Sequence, residues 1–220
     1  MCFSASSSLT SGVVVGALGV ATLPLVSDRR ERLFASLPLV FGIHQILEGL
    51  VWEQLDNGHA VTAHDPAAAA WLFIAWVFLP VFVPLSVWRF EPDPRRRRLM
   101  LAPVGLGAAV GAYLLVASVA GPATVRIVGH HLVYGLRASG FVLGVPYVVA
   151  TCGSLLVSSH RFVVAFGVVL TAAMGVTVLV ASVALSSVWC FFAAILSVGL
   201  FVHYLLARSR GSDPVGLLST

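Results

Sequence analysis

A stretch of apolar sequence long enough to cross a lipid bilayer carries strongly polar side chains well away from either end. The stretch runs from about Leu33 to Leu55, and the polar side chains are His44, Gln45 and Glu48. A carboxylate at membrane depth costs about 2.5–3.5 kcal/mol on insertion scales, so it is rarely left facing lipid. The sequence therefore predicts a membrane helix whose Glu48 is turned toward other helices.

The polar residues of this stretch share a helical spacing. His44, Glu48 and Trp52 are four residues apart, which places them along one slowly drifting stripe of a helix. An ionisable residue inside a membrane segment is a functional-site hypothesis by default. We therefore take these residues, together with Gln45 and the loop residue Tyr134, as candidates for ligand binding or proton transfer.

Composition indicates that the whole chain is an integral membrane protein. Hydrophobic residues make up 59% of the sequence and charged residues 10%, with a mean hydropathy of +0.98. The basic residues are all arginines beside apolar stretches, which is typical of topology signals, so we expect a lipid bilayer as partner and no nucleic acid. The sequence has no lysine, which excludes a retinal Schiff base. A homo-oligomer or a membrane partner remains open.

The apolar stretches predict an all-α, single-domain membrane bundle of seven spans over residues 1–220. We expect residues 121–140 to form an outer loop and residues 211–220 a flexible cytoplasmic tail. Eleven arginines fall in segments that this topology places inside, against Arg126 and Arg137 outside, which predicts an external N-terminus and a cytoplasmic C-terminus. The predicted spans cover about residues 9–26, 33–55, 67–88, 99–120, 141–158, 162–185 and 188–207.

Small and hydroxylated residues indicate how the spans pack. Gly12 and Gly16 in the first span, and Gly107 and Gly111 in the fourth, form small-xxx-small faces that favour close helix contact. A stripe of hydroxyl side chains at helical spacing in the fifth span is expected to face neighbouring helices. Its members are Tyr147, Thr151, Ser154 and Ser158.

Several potential metal ligands are assigned to the outer part of the predicted bundle. Histidine, carboxylate and thiolate suit zinc, copper or iron, so one hypothesis is an outward-facing site for a transition metal or a small ligand. No HExxH or similar motif accompanies it. The candidate metal ligands are His44, Glu48, His130, His131 and Cys2.

Other functions fit the same residues. His44 and Glu48 could form the proton relay of a proton-coupled carrier. They could equally tie helices together in a structural or partner-binding protein. Haem ligation would need an axial partner for His44, and His203 lies too near the predicted cytoplasmic end. A seven-helix hydrolase of the alkaline-ceramidase type is a fold-level analogy, without a transmembrane aspartate here. Whether the protein is an enzyme stays open.

Two short runs carry a family resemblance. The chain begins Met1-Cys2-Phe3-Ser4-Ala5, and its second span contains the run from His44 to Trp52, His-Gln-Ile-Leu-Glu-Gly-Leu-Val-Trp. Both resemble an uncharacterised family of bacterial integral membrane proteins that begin Met-Cys-Phe-Ser-Ala. The resemblance implies a multi-pass protein of the bacterial inner membrane and supplies no reaction. It draws attention to Cys2, His44 and Glu48.

Overall fold

The computed structural model describes residues 4–120, 124–135, 141–181 and 185–209, and these are mostly helical. The first half contains α1 (Ala5–Thr22), a 3-10 turn (Leu23–Leu25), α2 (Arg32–Ala35), α3 (Leu37–Asp56), α4 (Pro66–Leu72), a π-helical segment (Phe73–Phe78) and α5 (Leu79–Phe90). The second half contains α6 (Pro94–Leu99), α7 (Leu101–Ala120), α8 (Phe141–Val157), α9 (Arg161–Ala181) and α10 (Leu185–Ser209).

Within the described residues, six helical stretches are long and apolar enough to cross a membrane. The apolar helix α8 is shorter, at 17 residues. The helical, membrane-type fold is thus confirmed, whereas the number of seven spans and the orientation of the termini stay predictions. The six stretches are Ala5–Leu25, Arg32–Asp56, Pro66–Phe90, Pro94–Ala120, Arg161–Leu179 and Ser187–Ser209.

A small antiparallel sheet lies where a loop was expected. Its strands are β1 (Val61–Thr62), β2 (Thr124–Val128) and β3 (His131–Gly135), in the order β1-β2-β3. Gly129 opens the two-residue turn between β2 and β3 with φ +62°, as a type II′ hairpin turn requires. The β-branched residues of β2 ahead of this glycine were the overlooked signal. We call this end of the bundle the sheet end.

Helices α1 and α3 touch backbone to backbone through glycines. A Cβ added at Gly12 would lie 2.8 Å from the amide nitrogen of Ile46 and 2.9 Å from the carbonyl oxygen of Gly42. A Cβ at Gly42 would overlap the backbone of Gly16. This confirms the close packing predicted for the first span. Among the helices that pack against α3, α1 has the most extensive contact with it.

The π-helical segment is hydrogen-bonded to α8 through a backbone carbonyl for which its own helix offers no N–H donor. Leu79 N–H bonds to the carbonyl of Ile74, five residues back. In the same pattern the Ala75 carbonyl would need the N–H of residue 80, but Pro80 has none. Tyr147 of α8 donates its hydroxyl proton to that carbonyl at 2.5 Å. The first residue of the predicted hydroxyl stripe therefore does contact a neighbouring helix.

Gly107 and Gly105, on the same helix, provide a matched test of the packing. A Cβ at Gly107 would overlap the carbonyl oxygen of Pro80, whereas one at Gly105 would meet nothing within 4 Å. We expect Gly107→Ala to lower the free energy of unfolding by about 1–3 kcal/mol, because α7 must move away from α5. Gly105→Ala should be neutral or raise it by about 0.5–1 kcal/mol. Unfolding of both variants in one detergent measures this, and equal stabilities would contradict the packing.

Candidate functional site

Helix α3 packs against α1, α4 and α10, and the polar residues in its middle are buried. His44, Gln45 and Glu48 are each 0% exposed. Trp52, one turn beyond Glu48, is also buried. Amphipathicity does not explain these positions, since polar and apolar side chains of α3 are buried together. Every polar atom they carry must therefore find its partner inside the protein or in something bound there.

Glu48 faces α10. Its Oε1 accepts a hydrogen bond from the hydroxyl of Ser187 at the start of that helix. Cys190, one turn further along α10, is a buried free thiol close enough to interact electrostatically with the Glu48 carboxylate. A carboxylate, a hydroxyl and a thiol thus meet between α3 and α10.

His44 faces α4 and begins a column of stacked rings that ends at the sheet. Its imidazole lies 4.6 Å from the ring of Trp71, measured between centroids, at an interplanar angle of 37°. Trp71 is fully buried and stacks on Tyr134 of β3, with 3.8 Å between centroids and 7° between planes. Trp71 therefore separates the imidazole from the hairpin, and its stacking on Tyr134 links the hairpin to the α3 residues.

Several buried polar atoms in this region have no hydrogen-bond partner among the described residues. They include both ring nitrogens of His44 and both amide atoms of Gln45. The indole nitrogens of Trp52 and Trp71 also lack a hydrogen-bond partner among the described residues. An unsatisfied buried polar group costs about 1–3 kcal/mol, so a concentration of them in one place is exceptional. We call His44, Gln45, Glu48, Trp52 and Trp71 the α3 cluster.

The predicted metal ligands do not form a metal site in the part of the chain that the structure describes. No group of three or more His, Cys, Asp or Glu there is arranged to hold a metal ion. His130 is exposed at the hairpin turn, and His131 begins β3. Partial burial, and secondarily His130, lowers the pKa of His131. Cys2 lies outside the described residues. Metal binding therefore has no support from these side chains.

Two residues of the site were missed in the sequence. Trp71 lies in a stretch that is apolar throughout, so nothing distinguishes its ring from other core aromatics until β3 is seen to stack on it. Ser187 falls between the predicted sixth and seventh spans, outside both. The signal for it was the isolated carboxylate of Glu48, which needed a donor on some facing helix.

Comparison with known proteins assigns the family. Residues 1–214 match a family of unknown function, DUF6629. The chain belongs to this family. No curated protein and no solved structure matches it. Membership in DUF6629 agrees with the resemblance to an uncharacterised family, while the bacterial origin and the particular motifs remain predictions.

A second buried polar cluster in this DUF6629 protein lies at the opposite end from the sheet. Glu91, just after α5, accepts hydrogen bonds from the Ser158 hydroxyl at 3.1 Å and from the Ser159 amide and hydroxyl at 3.0 and 2.6 Å. His160 packs on Phe90, with 5.2 Å between ring centroids. The cluster fastens α5 to the turn between α8 and α9.

The buried His160 predicts a loss of stability in acid. Burial lowers the pKa of His160 below its usual value, and the opposing effect of Glu91 is smaller. In acid the unfolded chain therefore binds a proton at His160 that the folded protein does not bind. The free energy of unfolding keeps its full value above about pH 6.5 and falls below that pH by up to about 1.4 kcal/mol per pH unit. His160→Phe should reduce this loss in a pH series of unfolding measurements.

The control for this pH series is His59→Phe, which removes an exposed histidine at the sheet end. We expect it to keep the full acid sensitivity of the wild type, because it leaves the buried His160 in place. Equal acid sensitivity in His160→Phe and the wild type would show that the His160 imidazole is free to take up a proton in the folded protein.

Proposed function

We propose that this DUF6629 protein binds a small polar ligand inside the membrane, at the α3 cluster. The observation that carries the proposal is the pair His44 and Gln45, which are fully buried and have four side-chain polar atoms without a protein partner among the described residues. A membrane bundle offers no bulk water to compensate for this. A ligand with both donors and acceptors would satisfy the amide, the imidazole and the adjacent Glu48 carboxylate together.

The surroundings of the cluster have the composition of a ligand site. Trp52 and Trp71 supply large apolar faces, and each presents a buried indole N–H that lacks a protein acceptor in the described structure. Binding sites for small molecules are typically apolar and aromatic, with a few polar groups that fix orientation. The carboxylate of Glu48 and the two indole donors favour a neutral or cationic ligand that also carries an acceptor.

We further propose that this protein lies in the bacterial inner membrane and crosses it seven times, with an external N-terminus and a cytoplasmic C-terminus. The 17 residues of α8 lie at the lower limit of about 17–25 residues that cross a bilayer. The arginine bias of the sequence supports the orientation. In this topology the sheet end faces outward, and Trp71 and Tyr134 lie between His44 and that side.

Gln45→Leu tests the ligand proposal, with Gln54→Leu as the matched control. Both substitutions remove an amide from α3, but Gln54 is half-buried near the end of the helix. We expect mild extraction and native mass spectrometry to show a small polar compound bound to the wild type and to Gln54→Leu. Gln45→Leu should lose it by about tenfold or more, since an unpaired ligand group costs over about 1.4 kcal/mol.

A structural role for the Gln45 amide would give a different result. If the wild type carries no compound and Gln45→Leu unfolds with a higher free energy than the wild type, the amide is an unsatisfied structural group and the ligand proposal is wrong. Leucine is close to glutamine in volume, so such a gain would report the loss of the polar atoms and not a change in packing.

Proton transfer is a second candidate, favoured by the positions of Glu48 and His44. They are one helical turn apart and fully buried, and the hydrogen bond from Ser187 joins a hydroxyl to the Glu48 carboxylate, so a proton could pass between these two groups. The His44 imidazole would be the next proton carrier, and a bound water or ligand would have to join it to them. In this case the groups serve a proton-coupled carrier and not a resident ligand.

Proteoliposomes with an internal pH dye test proton transfer. The wild type should acidify the lumen under an imposed proton gradient faster than empty vesicles, and Glu48→Gln should abolish the difference because an amide cannot take up the proton. Glu53→Gln, outside the buried face of α3, is the control and should keep the wild-type rate. Wild-type vesicles that behave like empty ones would exclude this candidate.

A further inference from the structure

Four consecutive arginines form a short helix at the start of the membrane-length stretch Pro94–Ala120. Helix α6 is Pro94–Leu99, and Asp93 caps it by accepting hydrogen bonds from the amides of Arg95 at 2.7 Å and Arg96 at 3.1 Å. Helix α5 ends just before it and α7 begins just after it. If these helices cross the bilayer, α6 lies at the level of the lipid headgroups.

The arginines of α6 differ in what they contact. Arg96 donates to the carbonyls of Val157 and Ser158, both at 2.9 Å, and so fixes the end of α8. Arg95, Arg97 and Arg98 are exposed. The acidic residues next to them are already engaged, because Asp93 caps the helix and Glu91 is buried beneath serine donors. The exposed face of α6 is therefore strongly positive.

An aromatic ring and exposed leucines place this charge beside acyl chains. The guanidinium of Arg97 lies 4.4 Å from the centre of the Trp88 ring. Tryptophan is enriched at the membrane–water interface, where its ring lies at headgroup level. Leu99 and Leu101 follow directly and are 63% and 53% exposed. A soluble anion would gain nothing from these leucines, whereas a phospholipid would bury its chains against them.

We propose that Arg95, Arg97 and Arg98, with Trp88, bind the headgroup phosphate of an anionic phospholipid. A guanidinium matches phosphate oxygens with two parallel hydrogen bonds, and its charge is retained at all physiological pH values. Trp88 holds the Arg97 guanidinium in place by a cation–π contact, so this arginine is pre-oriented. The site is independent of the α3 cluster.

Lipid retention by native mass spectrometry tests the site. Full-length protein in a neutral detergent is titrated with phosphatidylglycerol and, separately, with phosphatidylcholine. We expect preferential binding of phosphatidylglycerol by the wild type. Arg95→Gln/Arg98→Gln should weaken it by about tenfold or more, since each arginine near an anionic membrane surface contributes about fivefold. Trp88→Leu should weaken it less, by about two- to fivefold.

The control variant removes two positive charges from a different loop. Arg29→Gln/Arg30→Gln neutralises two exposed arginines in the loop after α1 and should leave phosphatidylglycerol binding within about twofold of the wild type. Equal losses in the two double variants would overturn the proposal in favour of a diffuse surface charge. Displacement of the lipid by inorganic phosphate at equal concentration would also overturn it, because the leucines would then contribute nothing. Equal binding of both lipids by the wild type would overturn it outright.

Discussion

The burial of one carboxylate inside an apolar bundle governs the arrangement of the helices around it. Glu48 must be shielded from lipid, which α1, α4 and α10 achieve by packing on the polar face of α3, and it must have a donor, which the Ser187 hydroxyl supplies from α10. The glycine contacts with α1 make this enclosure compact, because side chains there would hold the helices apart. Stability and the polar interior are therefore products of the same helix packing.

The buried polar groups at the two ends of the bundle differ in how fully they are hydrogen-bonded. In the α3 cluster, polar atoms of His44, Gln45, Trp52 and Trp71 are buried without a protein partner among the residues that the structure describes, which favours a ligand or a proton as the missing participant. Around Glu91, the carboxylate is saturated by serine donors, which is the arrangement of a structural fastening. A saturated buried network stiffens a protein, whereas an unsaturated one is costly unless it serves a function.

Part of this could be predicted from the sequence and part could not. The membrane-type helices, the glycine contacts and the interior position of Glu48 follow from hydropathy, small-residue spacing and the cost of charge in lipid. The hairpin was missed because β2 is short and sits in a loop-like context, although Gly129 marks its turn. The stacking of Trp71 on Tyr134 joins residues far apart in the sequence, and no local periodicity records such a pairing.

The π-helical segment has a geometric effect beyond the carbonyl that it leaves for Tyr147. A single wide turn inserts one residue, and this rotates everything after it by about 100° about the helix axis relative to a regular helix. Trp71, before the segment, packs against His44 of α3 and Tyr134 of the sheet, while the carbonyl of Pro80, after it, contacts Gly107 of α7. A regular helix would place these two residues about 180° apart around its axis, and the wide turn reduces this angle to about 80°. The wide turn thus sets the angle between the contacts with α3 and with α7, and removing one residue from Phe73–Phe78 would rotate the aromatic half and the proline half by about 100° relative to each other.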